Sequence, residues 1–126
     1  MKRKFLLCKT CGNLVEVFDD AGGDIVCCGS PMEELVTNTT DAAVEKHVPV
    51  ISIKENVVTV KVGDVLHPMS EEHYIKWIYL ETNKGIHRVD LRPEDEPYAY
   101  FTLNRDEAVK GVYAYCNLHG LWKKEL

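Results

Sequence analysis

Val57-Val58-Thr59-Val60-Lys61-Val62 alternates without a break, so Val58, Val60 and Val62 fall on one face of an extended strand. A strand with one apolar face needs a second layer to cover it. Working outward, Glu55-Asn56 supplies a tight turn before this stretch, and residues 48–54 read as the preceding strand. Downstream, residues 74–81 carry Ile75, Trp77 and Tyr79 against Ile78 and Leu80, which predicts burial on both faces. Asn83-Lys84-Gly85 makes a hairpin turn into residues 86–91, and 98–103 and 112–116 complete the set. About six or seven short strands joined by turns, with no long helix and no repeat, predict an antiparallel β-sandwich over residues 47–126.

Residues 1–36 read as a separate small module. Short strands are expected at Phe5–Leu7, 14–18 and 24–26, with turns at Cys11-Gly12-Asn13 and Ala21-Gly22-Gly23. Three short strands bury little apolar surface, and a domain below ~40 residues usually needs a disulfide or a metal to fold. Residues 37–46 are polar, with room for one helical turn, and read as the linker and the loop leading into the sandwich.

The 126 residues hold 15 Lys and Arg against 20 Asp and Glu, a net charge of -5. That balance argues against nucleic acid, whose phosphates call for a basic surface. It also repels a small anion at long range unless a local cation intervenes. The start, Met1-Lys2-Arg3-Lys4-Phe5-Leu6-Leu7-Cys8, mimics a lipoprotein signal, but its apolar run falls short of the roughly 7–15 residues a signal needs. No window approaches the ~20 apolar residues of a membrane span. The expectation is a cytoplasmic protein with no membrane partner.

Five cysteines is an odd count, and in a reducing compartment closely spaced cysteines are more often metal ligands than disulfides. Cys8-x-x-Cys11 on a turn and the adjacent pair Cys27-Cys28 offer four thiolates, a soft tetrahedral set suited to zinc or iron. Neighbouring residues of a strand point opposite ways, so Cys27 and Cys28 can share an ion only if the backbone bends, with Gly29 there to help. A structural zinc ribbon, an electron-transferring iron and a disulfide within either pair all fit the spacing.

All five histidines lie beyond residue 46. Cys116-Asn117-Leu118-His119 puts a thiolate and an imidazole three apart near a strand end. His67 precedes Pro68, which extends the backbone there, His73 lies in the loop before a strand, and His47 opens another. Four histidines at element ends around one cysteine suggest a mononuclear metal site; imidazole suits iron, copper, zinc or nickel. A copper site of two histidines, Cys116 and Met69 is the nearest alternative, but it leaves two histidines unused. His87 lies mid-strand and reads as a surface or packing residue. Glu45-Lys46, just before His47, is either a solvated charge pair or a cation and carboxylate set beside the metal.

Together these motifs resemble the desulfoferrodoxins, the two-iron class of superoxide reductases. The resemblance runs from Cys8-x-x-Cys11 and Cys27-Cys28 through Glu45-Lys46-His47-Val48-Pro49, His67-Pro68-Met69 and His73-Tyr74-Ile75 to Cys116-Asn117-Leu118-His119-Gly120 with Trp122-Lys123. It implies a rubredoxin-like (desulforedoxin-like) iron held by Cys8, Cys11, Cys27 and Cys28 in residues 1–36, and an immunoglobulin-like sandwich. The sandwich iron would take His47, His67, His73 and His119 as equatorial ligands and Cys116 as the axial one. Its sixth position would be open in the ferrous state and taken by Glu45 in the ferric state. The implied activity is one-electron reduction of superoxide to hydrogen peroxide, with Lys46 and Glu45 as catalytic groups. The implied partners are a second copy, as a homodimer, and an electron donor such as rubredoxin. Pure electron transfer, or zinc-based binding of a partner, are the rival classes.

Overall fold

The computed structural model describes residues 3–39 and 42–126; Met1-Lys2 of the basic start and Thr40-Asp41 of the linker lie outside them. The chain divides into two compact units, one ending at Val36 and the other beginning at Thr37. The 37–46 segment thus clusters with the second unit.

In the first unit, β1 (Phe5–Leu7) lies between β2 (Leu14–Glu16) and β5 (Glu33–Glu34) in an antiparallel sheet. A second hairpin joins β3 (Val26–Cys27) to β4 (Ser30–Pro31). The strand expected at 24–26 therefore starts later and runs into the first cysteine of the pair. All these strands are two or three residues long, as a metal-stapled module allows.

The second unit opens with a single helical turn, α1 (Val44–His47), and continues as β6 (Pro49–Lys54), β7 (Val57–Val62), β8 (Ile75–Thr82), β9 (Ile86–Asp90), β10 (Tyr98–Thr102), β11 (Val109–Cys116) and β12 (Gly120–Glu125). Strands β10-β7-β6 form one antiparallel sheet and β12-β11-β8-β9 the other. This three-on-four division is that of an immunoglobulin-like sandwich. Val58, Val60 and Val62 are fully buried, as their alternation predicts, and pack with Ile78, Leu80, Val112, Ala114 and Cys116 in one core. Each full burial of a valine or leucine side chain contributes about 1.5–3 kcal/mol.

Two details differ from the sequence reading. The last strand, β12, was not expected. Its charged residues Lys123-Lys124-Glu125 mask the buried Leu121 and Trp122, and charges suit a sheet edge. Ile75 does not share a face with Trp77 and Tyr79. The β11–β8 register slips between Tyr115 and Cys116, so Cys116 faces Ile75 while Tyr115 faces Trp77. The extra residue, Lys76, turns Ile75 into the core beside Ile78.

Register also explains how distant residues meet. Pro49 pairs with Val62, Cys116 with Ile75, and Cys116 with Gly120. The start of β6, the end of β7, the start of β8 and the β11–β12 turn therefore share one end of the sandwich. Among the described residues no helix is long and apolar enough to cross a membrane.

Candidate metal centres

In the first unit two turns present two cysteines each. Cys8 follows β1, and its backbone closes a knuckle: its N–H donates to Asn13 O (2.9 Å) and its carbonyl accepts from Gly12 N–H (2.8 Å). Cys27 ends β3, and Cys28-Gly29 is the two-residue turn into β4. Both turn residues have positive φ, 54° and 78°, the left-handed conformation of a mirror-image hairpin turn. This is the bend the adjacent pair requires, and it lets both sulfurs reach one point.

The four sulfurs lie within 4.8 Å of one another. Cys11 and Cys27 are 3.5 Å apart and Cys27 and Cys28 4.0 Å. A tetrahedron with metal–sulfur bonds of about 2.3 Å has edges of about 3.8 Å, so the cage fits one soft cation. Both pairs remain thiols, with all five cysteines free. The Cys11 backbone N–H lowers the Cys8 thiol to about 6, while the crowding sulfurs, Cys11 first, push Cys28 up to about 12. Four thiols this close do not all ionise without a cation between them.

The second unit builds its site from α1, the β7–β8 connection and the β11–β12 turn. His47 and His67 are 2% and 3% exposed and Cys116 is fully buried, whereas His73 and His119 are half-buried. Four imidazoles form a ring in the order His47, His67, His73, His119. Neighbouring centroids are 4.6, 4.6, 5.0 and 4.9 Å apart, with planes at 81–82°. His47 and His73 face each other across it at 6.2 Å. Donor atoms of His47, His67, His73 and Cys116 lie within 4.8 Å of one another. His119 joins through Nδ1, 3.1 Å from His47 Nε2 and 4.0 Å from Cys116 Sγ.

The protons show what this ring is for. His47 Nδ1 donates to Ala43 O and His67 Nδ1 to Pro68 O, each at 2.7 Å. Both rings thereby turn an unprotonated Nε2 inward, and these two atoms are 3.1 Å apart. The His73 Nε2 is buried with no partner. Burial lowers His67 to about 4, and it also lowers His47 and His73. Converging lone pairs without protons are repulsive until a cation binds them. Metal–nitrogen bonds of about 2.1 Å put adjacent ligands about 3.0 Å apart, as found. Desolvation raises the Cys116 thiol, opposed by the His119 and Leu118 backbone N–H groups; the His119 N–H lies 3.4 Å from its sulfur.

Supporting contacts come from residues the sequence reading used only as motif spacers or not at all. Trp122 packs on the His47 ring at 4.8 Å and its indole N–H donates to His119 O at 3.0 Å. Gly63, with φ 87°, lies against the α1 backbone: a Cβ there would meet Glu45 O at 2.6 Å, the Lys46 carbonyl carbon at 2.7 Å, and Val65 O. Val65 N–H donates to Glu45 O at 3.0 Å. A Gly-Asp turn after an apolar strand is the only sequence signal for this cradle.

Glu45 and Lys46 are exposed on α1. The Lys46 charge contributes to the lowering of both His47 and His73. Glu45 lines a neighbouring cleft of about 350 Å³ with Val48, Asp64 and Lys124, and is not among the clustered donors. Met69 is not available as a copper ligand: its sulfur accepts the Ile75 N–H (3.4 Å) and it packs against the core. His87 lies at the opposite end of the sandwich, 2.9 Å from Glu107.

Comparison with known proteins agrees with both donor sets. The family model for desulfoferrodoxin matches residues 39–125, and that for the desulfoferrodoxin N-terminal domain matches residues 3–35. A desulfoferrodoxin homolog of Archaeoglobus fulgidus is 51% identical over 116 residues, 92% of this chain and 91% of that one. The desulfoferrodoxin of Nitratidesulfovibrio vulgaris is 48% identical over 118 residues, covering 94% and 92%. The crystal structure of the superoxide reductase from Treponema pallidum superposes with a TM-score of 0.84 at 37% identity, over 99% of this chain and 100% of that one. With one family model and one iron-matching donor set on each unit, four thiolates on the first and four imidazoles and a thiolate on the second, this chain belongs to the desulfoferrodoxin family.

Proposed function

We propose that this chain is a superoxide reductase, an oxidoreductase that converts superoxide, one electron and two protons into hydrogen peroxide. The observation that carries this reading is the converging donor set of His47, His67 and His73, with the Nδ1 protons of His47 and His67 turned outward to carbonyls and His119 and Cys116 beside it. Relatives named superoxide reductase support it, among them the Treponema pallidum structure and a Pyrococcus abyssi protein 33% identical over 99 residues.

His47, His67, His73, His119 and Cys116 would hold the iron, which would supply the electron for superoxide. The chain's own residues do the rest. Cys116 is buried in the core while His73 and His119 are part-exposed, so a small anion approaches from the solvent side of the imidazole ring. Lys46 puts a cation at that approach in a chain of net charge -5, drawing the anion in and stabilising the charge that develops on it. Both protons come from solvent, ordered by Lys46 or Glu45. Cys8, Cys11, Cys27 and Cys28 would hold a second iron, which would serve as an accessory or relay centre. The electron is replenished by a donor such as rubredoxin, and the chain works as a cytoplasmic homodimer.

The test is the product yield when pre-reduced protein meets a known dose of superoxide without oxygen. One peroxide per superoxide, with oxidation of the second iron, is expected. Half that yield with oxygen released means dismutation, and reaction at the spontaneous rate alone means electron transfer or binding.

A further inference from the structure

We propose that Asn117 is a positioning residue for the second metal centre, clamping the His73 loop onto the Cys116–His119 turn. The proposal rests on the reading that this donor set holds iron.

Asn117 sits between two ligands in sequence, but its side chain works on a third. Its Oδ1 accepts the Tyr74 N–H and its Nδ2 donates to Glu72 O, both at 2.9 Å. Its own N–H donates to Tyr74 O at 3.2 Å. Residues 72 and 74 flank His73, so one amide grips the chain on both sides of that ligand. An asparagine in a turn ordinarily bonds its own backbone; here both side-chain bonds cross to a segment more than forty residues away.

His73 is the ligand with most need of such help. His47 and His67 have their Nδ1 atoms tied to carbonyls at 2.7 Å. The ring of His73 has no hydrogen-bond partner among the described residues, and its Nε2 is buried without one. Its loop, Ser70-Glu71-Glu72, is exposed, and Ser70 holds the backbone of His73 itself: the Ser70 N–H and hydroxyl donate to His73 O (3.0 and 3.3 Å), and its carbonyl and Oγ both accept the His73 N–H (3.2 Å each). The ring's aim is therefore set by the backbone, which Ser70 holds at residue 73 and Asn117 holds on either side of it, at residues 72 and 74. The asparagine amide does both jobs, since the Tyr74 N–H needs an acceptor and Glu72 O needs a donor. Aspartate keeps the first bond and sets a carboxylate against the Glu72 carbonyl.

Iron release settles this. Wild type, Asn117→Ala and Asn117→Asp are loaded with iron in both centres, reduced, and exposed to a ferrous chelator. Aliquots are re-oxidised with ferricyanide before reading, so that the ferric thiolate absorption of each centre reports the iron left in it, and no superoxide is used. Loss of a supporting partner typically weakens metal holding about 10–100-fold. Release from the second centre should quicken by that order in Asn117→Ala and by less in Asn117→Asp. The sulfur-to-iron band of the second centre should also shift, with the first centre releasing at the wild-type rate. A folded variant with wild-type release and an unshifted band overturns the proposal, as does equal acceleration at both centres. If Asn117→Ala does not fold, Asn117→Asp decides by the same readings. Wild type that takes no iron into the second donor set would sink the underlying reading instead.

Discussion

The Nε2 atoms of His47 and His67 stand 3.1 Å apart with no hydrogen between them, because each ring has committed its Nδ1 proton to a carbonyl. Two inward lone pairs at that distance repel, and a cation between them would relieve the repulsion. Stripping the metals should lower the unfolding temperature and restoring ferrous iron should recover it. A ligand at a thousandfold excess over its dissociation constant stabilises by about 4 kcal/mol. An unfolding temperature indifferent to metal would mean the ring is held by packing alone.

Cys116 is fully buried against the core, so its sulfur is an internal donor rather than a surface thiol. Cys116→Ser should abolish the sulfur-to-iron charge-transfer absorption of the second centre and spare the first. Cys8→Ser should do the reverse. Loss of both metals from the Cys8 variant would show that the two units fold as one.

Lys46 is exposed, yet its charge reaches His47 and His73. Lys46→Ala should slow superoxide capture by roughly tenfold and flatten its dependence on ionic strength, since steering by a local cation is screened by salt. A capture rate that stays unchanged across ionic strengths would remove Lys46 from the reaction.

Gly63 leaves no room for a side chain, with the Glu45 and Lys46 backbone 2.6 and 2.7 Å from where a Cβ would stand. Gly63→Ala should cost about 1–3 kcal/mol from overpacking, read as a shift of the urea midpoint. Because the strain falls on α1, superoxide capture should drop further than the second-centre absorption changes. Wild-type stability in this variant would show that α1 yields freely.

Glu107 is held down at about 2, chiefly by the Thr82 hydroxyl, then by the Asn104 N–H and His87. Its folded pKa lies below its ordinary value of 4.5. The contribution is therefore complete above that value and fades as pH falls toward 2. Against Glu107→Gln, wild type should be more stable at neutral pH, with the gap closing as the solution is acidified. A constant gap in urea unfolding would assign the effect to packing.

Much of this protein is readable from one dimension because its signals are short-range. The alternation at Val57–Val62 reports one buried face directly, since strand side chains alternate. The Cys27-Cys28 pair demanded a bend, and Gly29 was at hand to make it. Where the reading slipped, long-range pairing decided. Ile75 turned inward because of a register slip against a strand forty residues later, and β12 was hidden because its edge position permits charges.

By itself the sequence determined the mainly β fold, the identity of the donor residues and their division between two units, because ligand chemistry and side-chain alternation belong to individual residues. Only the tertiary structure decided which nitrogen each histidine turns inward, that Gly63 seats α1, and that Asn117 reaches across to the chain around His73. Those depend on which carbonyls and amides the strand register brings to one end of the sandwich, and register is a property of the packed sheets.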